Sequence, residues 1–336
     1  MNKVSVAIVG LGRIGSLLEE DPRREKPCTH AGAIAASGDC GLAAGCDTDE
    51  ERRRLFAGRW QVPVYADAAL MLEERRPDIL VIATHPDSHE HYCRLAREGG
   101  VPVLVCEKPL ADTLGRARRI ARLEGGGTVP GPRILTNHER RYSADYQLAK
   151  TVLESGRLGP LLGVRGCLYM GRGRRLLDVL WHDGTHLADA IMFLAGGILK
   201  HRRSFGAGLA RKEGTAWLEG RLTFPGSSPK GEIPVLIEVG ALRDHLVFEL
   251  EFSCEKGRLR IGNGLYEVWE SRESPYAQGF RSLSRAGDRF EGKTGYFANM
   301  IADAAACVRE PGRRPRSGAA DGLRVIEYLN SVAKWR

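Results

Sequence analysis

Three spaced glycines follow an apolar run near the amino terminus: Val4-Ser-Val-Ala-Ile-Val9 leads into Gly10-Leu11-Gly12-Arg13-Ile14-Gly15. A strand feeding G-x-G-x-x-G meets three demands of a dinucleotide site: a tight turn at the first glycine, close backbone approach to a pyrophosphate at the second, and close helix packing at the third. The amino terminus of the following helix then offers N–H groups to the phosphates. A second anchor, for the adenosine ribose, belongs at the end of the next strand, and Cys40-Gly-Leu-Ala-Ala-Gly-Cys46-Asp47 supplies it. Asp47 accepts both ribose hydroxyls of NAD, whereas the 2′-phosphate of NADP meets an uncompensated carboxylate. Arg23, Arg24 and the arginines at 52–54 keep NADP open as an alternative. Gly15 and Asp47 are further apart than one ordinary helix requires; an insertion over Glu19 to Cys28 accounts for the excess, with the second half of the helix starting near His30.

Two further segments carry chemistry. Cys106-Glu107-Lys108-Pro109 follows an apolar run, and Trp181-His182-Asp183-Gly184-Thr185-His186-Leu-Ala-Asp189 lies in the second half of the chain. Together with the glycine motif and Ala83-Thr84-His85-Pro86-Asp-Ser-His89, they make the chain resemble the glucose-fructose oxidoreductase, inositol dehydrogenase and rhizopine catabolism family of NAD(P)-dependent oxidoreductases. The resemblance implies that Lys108 binds and polarises the reacting hydroxyl or carbonyl, and that His186 is the acid and base for its proton. It also implies a cofactor site built from Gly10, Leu11, Gly12, Arg13, Ile14, Gly15, Asp47, Thr84, His85, His89, Glu107 and Lys108. Thr136-Asn137-His138-Glu139-Arg140-Arg141-Tyr142 resembles the family's N-x-R-R-aromatic segment, which adds Asn137, Arg141 and Tyr142 to Lys108, His182, Asp183 and His186 as substrate-binding candidates. Arg172, Arg174 and Arg175 are candidates for the diphosphate of a nucleotide sugar.

Elementary chemistry agrees with these roles. A lysine at the carboxyl end of a parallel strand stands where open α/β sheets bind ligands, and its cation stabilises alkoxide-like charge. An imidazole with an ordinary pKa near 6.5 passes protons in either direction. One position departs from the family pattern: an aspartate is expected four residues before His186, and His182 stands there, with Asp183 one residue later. Either His182 replaces the acid, or the helix start shifts and Asp183 takes the role. His-Asp-x-x-His also approximates a zinc hydrolase motif, with Asp189 as a third ligand. Gly184 weakens a helix interior there, and a hydrolase leaves the glycine motif without a purpose, so no metal is expected.

Strands at Val4–Val9, Cys40–Cys46, Val62–Tyr65, Ile79–Ala83, Val103–Cys106 and Ile134–Thr136, alternating with helical periodicity at Ser88–Glu98 and Leu114–Glu124, predict a parallel sheet. The expected fold is an α/β Rossmann domain over residues 1–140, followed over 141–336 by an α+β substrate-binding and oligomerisation domain with a largely antiparallel or mixed open sheet. Helices are expected at Ala144–Ser155, Gly184–Leu194, Phe297–Arg309 and Ala319–Arg336. Strands are expected at Val164–Met170, Ala216–Phe224, Val235–Leu242, His245–Phe252, Leu259–Ile261 and Tyr266–Trp269. Residues 125–132 read as a soft segment, 224–234 as a loop, and Ser271–Thr294 as a lid or interface loop.

Composition bounds the alternatives. With 336 residues, 43% hydrophobic and 27% charged, the chain lies outside the disordered regime. No apolar run approaches the roughly 20 residues that span a bilayer, and the first seventeen residues read as strand and turn instead of a signal peptide, so a cytoplasmic protein without membrane association is expected. Eight cysteines without a C-x-x-C pair suggest reduced, buried thiols. The net charge of +8 is dispersed, and no nucleic-acid motif accompanies it. The reading is an NAD-dependent oxidoreductase acting on a secondary alcohol of a sugar, nucleotide sugar or cyclitol, and assembling as a homodimer or homotetramer. The alternative is a non-catalytic, dinucleotide-sensing member of the same fold.

Overall fold

Residues 4–9, 79–82 and 103–106 are almost wholly buried, as parallel strands covered on both faces must be. In the computed structural model, which describes residues 3–124, 131–171, 173–224, 231–310 and 312–334, they form the centre of a six-stranded parallel sheet. Residues 125–130 of the soft segment, the expected phosphate ligand Arg172 and the loop residues 225–230 lie outside the described residues.

The strands are β1 (Val4–Val9), β2 (Cys40–Cys46), β3 (Val64–Tyr65), β4 (Ile79–Ile82), β5 (Val103–Cys106) and β6 (Arg133–Thr136), in the order β3-β2-β1-β4-β5-β6. Every pair is parallel, giving the doubly wound arrangement that binds ligands beyond the carboxyl ends of its strands. The helices between them are α1 (His30–Ala36), α2 (Glu50–Trp60), α3 (Ala68–Arg75), α4 (His89–Glu98) and α5 (Leu114–Leu123). Thr29, Asp49, Asp67 and Thr113 cap α1, α2, α3 and α5 by accepting backbone N–H groups in their first turns, as short polar side chains do at orphaned helix donors.

The first compact unit is Met1–Ser143 together with Lys293–Ile326, and the second is Ala144–Gly292 together with Glu327–Arg336. The contiguous 141–336 domain expected from the sequence is therefore interrupted. The physical reason is α9 (Tyr296–Arg309), whose Phe297, Met300, Ile301 and Ala304 enter the same core as Ile8, Val81, Val105 and Tyr142. Helix α10 (Ala319–Ala333) carries the chain from the first unit to the second.

The second unit is built on an eight-stranded mixed sheet. Its strands are β7 (Leu161–Tyr169), β8 (Ile198–Gly206), β9 (Gly214–Thr223), β10 (Ile233–Ala241), β11 (Val247–Cys254), β12 (Gly257–Gly262), β13 (Leu265–Glu273) and β14 (Arg281–Arg285), in the order β14-β13-β12-β11-β7-β10-β9-β8. Only β7 and β10 pair in parallel. Helices α6 (Ala144–Glu154), α7 (Leu176–His182) and α8 (Gly184–Ala195) cover one face; Leu168, Leu218, Ile237, Val239, Leu250 and Phe252 point into that buried layer. Strand β8 and helix α7 are additional to the elements expected from the sequence, and the expected 271–294 loop is partly replaced by the β13–β14 hairpin. Strand β14 reads Arg-Ser-Leu-Ser-Arg, which has no apolar run to mark it as a strand.

Candidate active site

The glycine turn satisfies its three demands separately. Gly10 has φ +92°, and a Cβ there would lie 2.6 Å from the Ala83 carbonyl at the end of β4. A Cβ at Gly15 would collide with the Gly10 carbonyl. At Gly12 the nearest atom to the place a Cβ would take belongs to the Arg52 guanidinium, at 3.7 Å. The first and third glycines thus close the turn, while the second leaves open the approach that a pyrophosphate requires. Asp47 is tied into the same turn: Oδ2 accepts the Leu11 N–H at 2.8 Å, and Oδ1 accepts the Asp49 N–H at 3.0 Å. Arg52 stands 3.6 Å from Asp47 Oδ2. The open approach at Gly12, with the Asp47 carboxylate and the Arg52 guanidinium beside it, fits a dinucleotide.

The insertion expected between Gly15 and the helix proper has a defined construction. Gly12 to Leu18 form a short helical turn; the chain then leaves and returns at α1, where His30 N–H donates to Ile14 O at 3.1 Å and Ala31 N–H to Gly15 O at 3.0 Å. Those are the bonds Leu18 and Glu19 would make in an uninterrupted helix. The twelve residues from Leu18 to Thr29 are thus an excursion spliced into one helical ladder. It is pinned by Glu19, which accepts the Cys28 N–H and the Thr29 hydroxyl. Lys26 reaches the Leu18 and Asp21 carbonyls, and Glu25 accepts the Thr294 and Gly295 N–H groups at 2.9 Å, ahead of α9.

The excursion delivers His30 to a place that motif spacing does not reveal. His30 Nε2 lies 2.7 Å from Glu107 Oε1; the same oxygen accepts Asn137 Nδ2 at 2.6 Å, and Glu107 Oε2 accepts the Lys108 N–H at 3.1 Å. His30, Glu107 and Asn137 are buried, while Lys108 is half-buried beyond the carboxyl end of β5. Burial opposes charge on Glu107, but the hydrogen bond and electrostatic pull of His30, the hydrogen bond from Asn137 and the charge of Lys108 outweigh it and hold the carboxyl below its usual range. Glu107 and Asn137, expected from the sequence as cofactor and substrate contacts, spend these groups on each other.

Other expected contacts are also internal. His89 is buried, its ring nitrogens 3.2 Å and 3.1 Å from the Leu110 and Thr84 carbonyls. It links two turns beyond the sheet, and burial keeps its pKa below the ordinary imidazole value. Thr84 stays half-buried with its hydroxyl accepting from Ser88, and His85 is exposed. Arg141 donates to the Arg316 carbonyl and pairs with Asp321 at 3.2 Å. Tyr142 is fully buried in the first unit's core. It therefore packs beneath the surface instead of covering a sugar face, because the apolar side of the turn at Glu139–Tyr142 faces α9.

In the second unit His182 and His186 lie on different helices. Helix α7 ends at His182, Asp183 is the joint, and α8 begins at Gly184. A Cβ at Gly184 would come within 3.2 Å of Leu180, so the joint is tightly packed. Asp183 Oδ1 lies 2.9 Å from His182 Nδ1, and Oδ2 lies 3.1 Å from Arg174 Nη1. His182 is exposed and His186 half-buried. The i, i+4 zinc-type pair requires one continuous helix, which the break at Asp183 removes, and no cluster of three metal-binding side chains occurs among the described residues. Arg174 is turned to Asp183, and Arg175 to Asp178 in the first turn of α7.

Residues 4–126 match the model of an oxidoreductase family with an NAD-binding Rossmann fold. The D-apiose dehydrogenase of Rhizobium rhizogenes is 29% identical over 170 residues, covering 47% of this chain and 48% of that protein. An inositol 2-dehydrogenase of Corynebacterium glutamicum is 30% identical over 194 residues, covering 57% and 54%. The match thus spans about half the length of these relatives. Across the whole fold, the WlbA dehydrogenase from Bordetella pertussis, solved with NADH and UDP-GlcNAcA, superimposes with a TM-score of 0.72 at 20% identity over 99% of this chain and 96% of its own. An oxidoreductase from Agrobacterium radiobacter, solved with NAD+, L-tartaric acid and magnesium, does so with a TM-score of 0.70 at 18% identity over 99% and 96%. At such identities the likeness is one of fold.

Proposed function

We propose that this chain, a member of the glucose-fructose oxidoreductase, inositol dehydrogenase and rhizopine catabolism family, is an NAD-dependent dehydrogenase acting on a secondary alcohol carbon of a sugar, nucleotide sugar or cyclitol. The observation that carries the reading is the open approach at Gly12, flanked by Asp47 at the end of β2 and by Lys108 at the end of β5 in the same sheet. When bound, the nicotinamide supplies the site that accepts or gives hydride. The residues at 10–15 hold the dinucleotide phosphates, and Asp47 accepts the ribose hydroxyls of NAD.

Lys108 holds the reacting oxygen and stabilises negative charge on it. His186 takes the hydroxyl proton in oxidation and returns it in reduction. Asp183, which already gathers His182 and Arg174, fills the role of the family's acid, and His182 is oriented by it. The face of the eight-stranded sheet away from α6, α7 and α8 carries Arg165, Trp217, Leu236, Glu249, Glu251 and Arg260. It is the surface through which the chain forms a homodimer or homotetramer; light scattering of the purified protein giving a monomer mass at micromolar concentration would reject this.

The activity is tested by screening free sugars, nucleotide sugars and cyclitols with NAD and with NADP, read as absorbance of the reduced nicotinamide. Turnover with one polyol class is expected, with Lys108→Ala lowering kcat far more than it weakens NAD binding. Tight NAD binding with no turnover across the screen would move the chain to the sensory alternative, and undiminished kcat in Lys108→Ala would remove the assignment of the lysine.

A further inference from the structure

We propose that His30 is a positioning residue for Lys108, acting through the buried carboxylate of Glu107. The proposal rests on the dehydrogenase reading for what Lys108 does, and on geometry alone for how Lys108 is held. Glu107 and Lys108 are adjacent in sequence, so a carboxylate accepting the N–H of the next residue has only a local hold on it. The carboxylate must itself be fixed, and two donors fix it: His30 Nε2 at 2.7 Å and Asn137 Nδ2 at 2.6 Å, both on Oε1, leaving Oε2 to the Lys108 N–H at 3.1 Å. The imidazole is in turn closely packed. It is wholly buried, it is the first residue of α1, and its ring meets the edge of Phe297 of α9 at a centroid distance of 5.1 Å and 85°.

Which ring nitrogen donates follows from its surroundings. His30 Nδ1 is buried without a hydrogen-bond partner, so the ring's hydrogen bond runs through Nε2. A carboxylate only accepts, so Nε2 is the donor and Glu107 the acceptor. Such an arrangement is costly to leave half made, since removing the imidazole leaves a buried carboxylate short of a donor. The splice in the first helix points the same way. After twelve extra residues the chain re-enters the ladder with His30 bonded to Ile14 O, the place of the third residue after Gly15 in an unbroken helix. The excursion is accommodated without displacing the imidazole from Glu107.

The test uses the full chain and two variants. In His30→Gln the longer amide retains an N–H donor within reach of Glu107; in His30→Asn the side chain is one methylene shorter and falls away from it. Hydrogen exchange at the Lys108 amide is measured by NMR together with NAD affinity, neither of which needs the substrate. The expected result is exchange at Lys108 accelerated about tenfold or more in His30→Asn and near native in His30→Gln, with amides of β1 and β2 unchanged and NAD affinity within about twofold. With the polyol the screen identifies, kcat falls about 100-fold in His30→Asn at nearly constant KM, as expected for misplacing a working group by about an ångström, and recovers in His30→Gln.

Unchanged Lys108 exchange in His30→Asn overturns the proposal. Equal acceleration across β1, β2 and β5 also overturns it, because His30 is then only a core residue; so does loss of folding in His30→Gln, which keeps the donor. If the exchange result holds while no polyol is turned over, the positioning role stands and the dehydrogenase reading fails.

Discussion

At the scale of single residues, the two ends of the first sheet's binding edge are held differently. Asp47 is anchored by two backbone N–H groups and stands beside Arg52, so its charge is already partly compensated when a ligand arrives. NAD is expected to bind more tightly than NADP, with Asp47→Ala eroding the preference and Arg52→Ala sharpening it. Calorimetry of the unmodified protein showing tighter NADP would refute this. In the second unit, a positioned base contributes about 100- to 10,000-fold, so His186→Ala is expected to lose that much turnover while retaining NAD. Asp183→Asn releases both His182 and Arg174, and is expected to raise KM or shift the pH profile more than His182→Ala does. A pH series of kcat and kcat/KM with deuterated substrate separates the three, and near-normal rates in His186→Ala would return the proton to Asp183 or water.

At the scale of elements, the first helix is the departure from an ordinary Rossmann unit. Its hydrogen-bond ladder passes from Ile14 and Gly15 directly to His30 and Ala31. Joining Leu17 to His30 by deleting 18–29 therefore restores a continuous helix without moving α1. The deletion variant is expected to fold and to bind NAD within a fewfold of the parent, as followed by circular dichroism and calorimetry; failure to bind would mean that the excursion itself holds cofactor. Its contribution to stability is local. Glu25 satisfies the N–H groups of Thr294 and Gly295 just ahead of α9, and Glu25→Ala is expected to cost about 1 kcal/mol by denaturant titration, the usual net worth of an intramolecular hydrogen bond.

For the whole molecule, acid sensitivity has an identifiable contributor. Burial, opposed by the Thr84 and Leu110 carbonyls, keeps the folded pKa of His89 below the ordinary value. The unfolded chain therefore binds this proton first as pH falls. Stability from this group is complete above about pH 6.5 and is lost below it, at up to about 1.4 kcal/mol per pH unit, until the folded pKa is reached. His89→Gln is expected to flatten the denaturation midpoint between about pH 7 and pH 5, even if the variant is less stable throughout; an unchanged slope would shift the effect to another group.

Features set by local order along the chain are legible in the sequence alone. Parallel strands covered on both faces need unbroken apolar runs, so β1, β2, β5 and the return to helix at His30 stand at the expected residues. The glycine turn is local too, because backbone angles and Cβ clashes within a few residues demand it. Side-chain partners distant in sequence were decided only by tertiary structure. Asn137 resembles a substrate ligand until the fold brings Glu107 to it, and Tyr142 resembles a sugar platform until α9 returns from position 296 to bury it. His182 and His186 carry helical spacing in sequence, but in the fold Asp183 ends one helix and Gly184 begins a second. His30 had no motif at all. Its importance arises from the 77 positions that separate it from Glu107 and the 2.7 Å that folding leaves between them, and no spacing rule along one chain encodes such a distance.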